Sequence, residues 1–433
     1  MVLPAQSPAE PAAQFSSPTH PATGSPKLAA GLAILLILDL AYFVNAMDRQ
    51  LFPVLLPDIR AALGVNAHEI GLLATIFTLG MGLAGIPAGY LTDRWGRKNV
   101  ILAGLVVFSV TTALQAAAVG WFDMAAYRVV SGLGEGLQNA ALYAAAGSYF
   151  HRHRGFAVGT LSAAYGLGAF TGPSLGSWLA DATGHWQTPL VVFGAFGAVV
   201  FLVVWRGVPR SAADYGAQTK DAAVAARMGV VASERLLNRR IVCAGIAAVG
   251  AGFALNAFLG LYPTFLREAR AFTPGEASVT VSMFGIGALG AVLGGLAADR
   301  MNQRLLNVIG LAVFMATGTL IFAAPTSQGV QMVLTLLLGI AFTGVIYTNT
   351  SALMQRSVAP SLVGRAQGVF IAALYIPASV SGYVFAVAVD GLGWVTAGIV
   401  IIVVPSVVGL LGMAAMGRGP NPGPGARAVT AKR

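Results

Sequence analysis

From Leu28 onward the chain alternates long apolar runs with short polar interruptions. Twelve runs stand out, near 30–58, 68–92, 99–118, 123–150, 156–181, 187–206, 240–266, 275–299, 305–324, 329–357, 364–389 and 394–416. Each is long enough for the ~20 helical residues that cross a hydrocarbon core. The polar residues inside them recur at helical spacing. Arg128, Gly132, Glu135 and Asn139 share one face through i, i+4, i+7 and i+11, and Tyr42, Arg49 and Phe52 form a comparable stripe with Asn45 and Asp48 beside it. The pattern predicts an all-α membrane protein of twelve transmembrane helices.

The runs come in two matching sets. "GYLTDRWGRK" (89–98) after span two is echoed by "GGLAADRMNQR" (294–304) after span eight, with Asp93 and Asp299 separated by 206 positions. "DATGHW" (181–186) after span five is echoed by "DGLGW" (390–394) after span eleven. Two echoes at nearly one offset predict two parallel-repeated six-helix bundles around a central cavity, with a substrate site near the midplane. The expected organisation is a disordered tail (1–27), a first bundle (28–206), a charged linker (207–239), a second bundle (240–416) and a second tail (417–433).

Composition agrees with membrane embedding. Of 433 residues, 56% are hydrophobic and 10% charged, against about 25% charged in a soluble domain. The net charge of +10 is distributed by side. With the N-terminus inside, 21 of the 26 Lys and Arg fall in cytoplasmic tails and loops, three (Arg60, Arg267, Arg270) in outer loops and two (Arg49, Arg128) within spans. This bias predicts cytoplasmic termini and an inner or plasma membrane location, and it explains the basic charge without nucleic acid. The single cysteine, Cys243, excludes an internal disulfide. "GIGALG" (285–290) fits a dinucleotide fingerprint but lies inside span eight with no strand before it, so it reads as helix packing. There is no phosphate-binding Lys loop and no His-Glu-x-x-His spacing. No enzyme, cofactor or metal is expected.

"GYLTDRWGRK" is similar to the signature loop between spans two and three of the major facilitator superfamily, and "YRVVSGLGEG" (127–136) resembles its span-four motif. "NAMDR" (45–49), with Glu135 seven residues after Arg128, resembles the anion:cation symporter and Spinster-like branches. The resemblance covers about 28–416 and implies alternating access by two bundles. It implies that Gly89, Asp93, Arg94 and Arg97 hold the cytoplasmic side shut against the start of span eleven near Gly364. Asp299 and Arg300 would do so in the second copy, which lacks the Gly-Arg-Lys ending. "GTLSAAYGLGAFTGPSLGS" (159–177) resembles an antiporter motif of drug exporters, except for Ser177 where that motif has Gly.

A charge at the bilayer centre costs roughly 2.5–3.5 kcal/mol or more, so Asp48, Arg49, Arg128 and Glu135 are expected to face an aqueous cavity. At 1.5 Å per residue, Arg128 lies about 10 Å further out than Glu135. Arg49 and Arg128 are the expected anion ligands, because a guanidinium grips a carboxylate or phosphate in two places. Tyr42, Asn45 and Asn139, with Asn256, Tyr262, Asn349 and Tyr375 across the cavity, are the expected neutral ligands. Asp48 and Glu135 are the expected proton carriers, with Asp39 the next candidate. Proton-coupled symport of a small organic anion by a monomer in the lipid bilayer follows as the leading expectation. The alternatives are a proton-driven exporter, either a drug antiporter or a Spinster-like lysolipid carrier, and a transport-dead sensor or scaffold.

Overall fold

A computed structural model describes residues 28–65, 67–214, 235–324 and 327–416. The tails expected at 1–27 and 417–433, and linker residues 215–234, lie outside the described residues. The first half comprises α1 (Leu28–Leu63), α2 (Ala67–Trp95), α3 (Arg97–Gln115), α4 (Trp121–Tyr149), α5 (Arg154–Thr183) and α6 (Gln187–Gly207). A short α7 (Arg210–Ala213) leads into the linker. The second half comprises α8 (Arg239–Glu268), α9 (Pro274–Ala288), α10 (Ala291–Arg300), α11 (Gln303–Ala323), α12 (Gln328–Gly339), α13 (Thr348–Arg356) and α14 (Val363–Ala415). Among the described residues, nine helical stretches are long and apolar enough to cross a membrane, and one of them, Pro360–Ala415, holds two crossings. The glycine-rich, more polar α4 and α5 complete the twelve.

Local chemistry sets the boundaries. Asn238 caps α8 by accepting from the Arg240 and Ile241 amides, and Asn302 caps α11 in the same way. Thr273 and Glu276 form a reciprocal capping box on α9, with Pro274 in its first turn. Gly393 (φ 74°, ψ 164°) breaks α14 and separates spans eleven and twelve.

Span eight, expected to be continuous, is broken at Leu289–Gly290, between α9 and α10. Opposite the break, span ten contains a π-helical stretch, Ile340–Tyr347, between α12 and α13. Gly287 faces the Leu336 carbonyl and Gly294 faces Gly344, so "GIGALG" packs span eight onto span ten. The linker also begins differently from a plain charged loop. Ala212 and Ala213 of α7 are buried, and Asp214 accepts from the Arg97 amide at 2.5 Å, capping α3.

The halves meet through small residues. On α5, Gly155 and Gly159 face Gly295 and Ala291 of α10, while within the first half Gly168 and Gly172 face Phe43 and Met47 of α1. On α2, a Cβ at Gly85 would lie 2.6 Å from the Gly368 carbonyl oxygen, and one at Gly89 would lie 2.7 Å from the Arg365 Cα. Such approaches need glycine, as helix crossings in membranes commonly do. Gly85→Val is therefore expected to push α2 and α14 apart at the end that carries the α2–α3 loop. Spin labels at Trp95 and Ser361, in a chain lacking Cys243, should report a longer distance. An unchanged distance distribution would contradict this packing.

Candidate functional site

A cavity of about 770 Å³ lies between the halves, lined by residues of both. Its deep end is an aromatic floor. Tyr42 of α1 meets Tyr143 of α4 edge-on at 5.4 Å, Tyr143 meets Tyr347 at 5.5 Å, and Tyr347 meets Phe370 of α14 at 5.0 Å. Asn139 lies behind this floor, donating to the Tyr42 hydroxyl at 3.2 Å and accepting from Tyr347 at 3.5 Å. From the floor the lining extends to Leu56, Leu72 and Tyr383, nearer the α1–α2 end.

Above the floor stand the four charges. Arg49 donates through Nε to Glu135 at 3.0 Å, through one Nη to Asn45 at 2.7 Å, and through the other to the Tyr375 hydroxyl of α14 at 2.8 Å. Asn45 is held in turn by donating to Gln138 at 2.8 Å. Glu135 is fully buried; one of its oxygens takes the Arg49 bond and the other has no partner. Asp48 accepts from Thr112 of α3 at 2.8 Å and lies near Glu135. The two carboxylates and Arg49 thus form one connected set.

Arg128 is held differently. Its guanidinium lies between the rings of Phe52 (4.0 Å) and Phe77 (3.9 Å). Its Nε is buried without a hydrogen-bond partner. Among the described residues it makes no ion pair, although it lines the cavity. Asp48 and Glu135 act on it only through space. Two aromatic faces stabilise the cation without neutralising it.

A sequence model described as Major Facilitator Superfamily matches residues 38–382 and 244–431. The chain belongs to that superfamily. It is 26% identical over 384 residues to a Cupriavidus necator protein named "Probable sulfoacetate transporter SauU", covering 83% of this chain and 87% of that one. It is 24% identical to a Bacillus subtilis protein named "Hexuronate transporter", covering 63% of this chain and 65% of that one. Among solved structures, the proton:xylose symporter XylE bound to 6-bromo-6-deoxy-D-glucose superposes with a TM-score of 0.71 at 15% identity, over 90% of this chain and 95% of that one. That likeness concerns the fold alone. The chain is a multi-pass membrane transporter and not an enzyme.

In this superfamily member the expected site residues separate into groups. Tyr42, Arg49, Arg128, Asn256 and Tyr375 line the cavity, and Asn45, Asp48, Glu135 and Asn139 support it. Tyr262 does not reach it. That residue is buried in the second half, bonded to Gln331 and Thr335 and stacked on Phe258 at 4.3 Å. Asn349 is buried where it donates to the Gln303 carbonyl at 2.7 Å, under the start of α11. Asp39 lies beside Thr160 of α5, away from the four charges, with one carboxylate oxygen buried and without a hydrogen-bond partner.

At the α2–α3 end the halves are latched twice. Asp93 pairs with Arg365 of α14 at 2.6 Å. Asp299 pairs with Arg356 at 2.5 Å and accepts from the Gly155 and Phe156 amides at the start of α5, at 2.8 and 3.0 Å. A carboxylate at a helix N-terminus is favoured by the exposed amides and the dipole. Arg97 is buried near Asp93 and Asp214, whereas Arg94 and Arg300 are exposed. Sequence reasoning placed Tyr42 and Phe52 on the cavity-facing stripe but did not single out Arg356, Arg365, Phe77, or Tyr143 and Tyr347 of the floor.

The two arginines should respond differently to removal. Arg49→Ala leaves Glu135 buried and unpaired and is expected to cost ~3–5 kcal/mol. Arg128→Met keeps the contacts with both rings, breaks no ion pair, and should cost less than half as much. Thermal unfolding of the purified variants checks this, and equal losses would contradict the assignment of Arg49 as the structural cation.

Proposed function

We propose that the chain is a proton-coupled symporter of a small organic anion, working by alternating access as a monomer. The observation that carries this reading is the contrast between the two arginines. Arg49 is committed to Glu135, whereas Arg128 presents an unpaired cation to a cavity between the halves. An anion entering the cavity finds its counter-charge at Arg128. The names of the sulfoacetate and hexuronate relatives support an organic acid as substrate.

Proton coupling follows from charge arithmetic. Arg49, Arg128, Asp48 and Glu135 sum to zero when ionised. One proton placed between Asp48 and Glu135 relieves the repulsion of two carboxylates in contact and brings the set to +1. It also weakens Glu135 as an acceptor and frees the Arg49 guanidinium to turn toward a bound anion. Linkage makes the effect mutual, so the anion favours the proton as the proton favours the anion. The bond from Arg49 to Tyr375 crosses between the halves, so a change at Glu135 reaches the second half directly.

The Lys and Arg bias supports a cytoplasmic position for the doubly latched end. The cavity then opens to the outside, and the Asp93–Arg365 pair and the bonds from the Gly155 and Phe156 amides to Asp299 must part for inward release. The glycines of α5 serve close packing against α1 and α10, which alternation in either direction requires, so they do not argue for export.

Glu135→Gln keeps the size and deletes the titration. In proteoliposomes this variant is expected to exchange anion across the membrane but not to concentrate it when a pH gradient is imposed. Asp48→Asn is the parallel test. Proton-driven accumulation retained in both single variants would overturn the assignment, and substrate efflux coupled to proton entry would overturn symport.

A further inference from the structure

We infer that the transported anion is amphipathic, with one carboxylate or sulfonate head and an apolar body, rather than a polyhydroxylated sugar acid. The inference rests on the reading of Arg128 as the anion ligand and concerns what surrounds it.

The head-group position is collared by hydrocarbon. Phe52 and Phe77 cover both faces of the guanidinium at 4.0 and 3.9 Å, so an anion meets its edge with an aromatic ring on either side. Across the cavity the second half contributes Leu255, Leu259, Phe284, Phe342 and Leu374. The polar side chains interspersed there have largely spent their donors at home. Asn256 donates to the Gly252 carbonyl at 2.9 Å, Ser379 to Ile376 at 2.7 Å and Ser381 to Ala378 at 2.8 Å, each within its own helix. In the first half, Gln50 donates to Tyr165 at 3.2 Å, and Tyr143 and Ser162 are paired at 3.0 Å.

The cavity therefore has two unlike walls. Charge is concentrated on the α1 and α4 side, while the facing wall is mostly apolar, its other hydroxyl groups being those of Thr343, Tyr347, Tyr375 and Tyr383. A sugar acid seated on Arg128 would turn its hydroxyl groups toward leucine and phenylalanine side chains, losing water without gaining partners. A ring or alkyl body would instead bury apolar surface against that wall, the non-directional gain that favours hydrocarbon contact. The volume of about 770 Å³ leaves room for such a body beyond the head group.

The test compares two monocarboxylates of equal charge, phenylacetate and glucuronate, by isothermal titration calorimetry on the purified full-length protein at one pH. Phenylacetate is expected to bind at least about tenfold more tightly, because missing hydrogen-bond partners discriminate strongly. Leu259→Asn, a half-buried position on the apolar wall, should shrink that ratio by weakening phenylacetate alone, with the variant's melting temperature confirming that it folds. Glucuronate binding as tightly as phenylacetate, with both lost in Arg128→Met, would overturn the amphipathic substrate and leave the anion reading standing. Binding of neither, or binding unaffected by Arg128→Met, would overturn the anion reading and this inference with it.

Discussion

Arg49 sits at membrane depth, where an unpaired guanidinium is costly, and its five N–H donors demand acceptors. It finds them in Glu135 and Asn45 from the first half and in Tyr375 from the second. Much of the surrounding architecture serves this one residue. Gln138 holds Asn45, Thr112 holds Asp48 beside Glu135, and Tyr165 and Tyr375 place their rings 5.4 and 5.5 Å from the guanidinium. Because one of its bonds crosses between halves, the local charge state and the relative position of the bundles are tied together. With Arg49 satisfied internally, Arg128 is left as the cation that the cavity presents.

The latched end repeats a single device in two copies. Asp93 reaches from the first half to Arg365, and Asp299, held within the second half by Arg356, reaches the amides at the start of α5. The parallel sequence repeat thus becomes a reciprocal pair of contacts across the interface. Asp299 makes the larger set, although its loop lacks the Gly-Arg-Lys ending of the first copy. Gly155 and Phe156 offer backbone N–H donors there, and such donors need no particular side chain. The glycines that let α2 meet α14, and α5 meet α10, bring these groups within reach.

The charged part of the site was legible because intramembrane charge is expensive and helical periodicity fixes which charges share a face. Asp48, Arg49, Arg128 and Glu135 are therefore marked by depth and spacing alone. The rest carries no such mark. Tyr143, Tyr347 and Phe77 occur in apolar runs where an aromatic residue at helical spacing looks the same whether it faces a core, lipid or a cavity. The second-half helices hold charge only near the ends of their spans, so nothing marks their inward face, and Asn256 and Tyr375 reach the cavity while Tyr262 and Asn349 point elsewhere. Arg356 and Arg365 resemble ordinary basic loop residues until the fold sets them against carboxylates. The break in span eight and the π stretch in span ten were also invisible, because hydropathy records length and apolarity but not the backbone ladder.

The central claim is that anion binding at Arg128 and protonation of the Asp48–Glu135 pair are one linked event. Proton uptake on ligand addition tests it most directly, using a pH-indicator dye in weakly buffered detergent solution and whichever of phenylacetate and glucuronate binds more tightly. At a pH where the pair is ionised beforehand, the account predicts uptake of about one proton per anion bound, abolished when Glu135→Gln and Asp48→Asn are combined. Saturable anion binding with no proton uptake at any pH would contradict it.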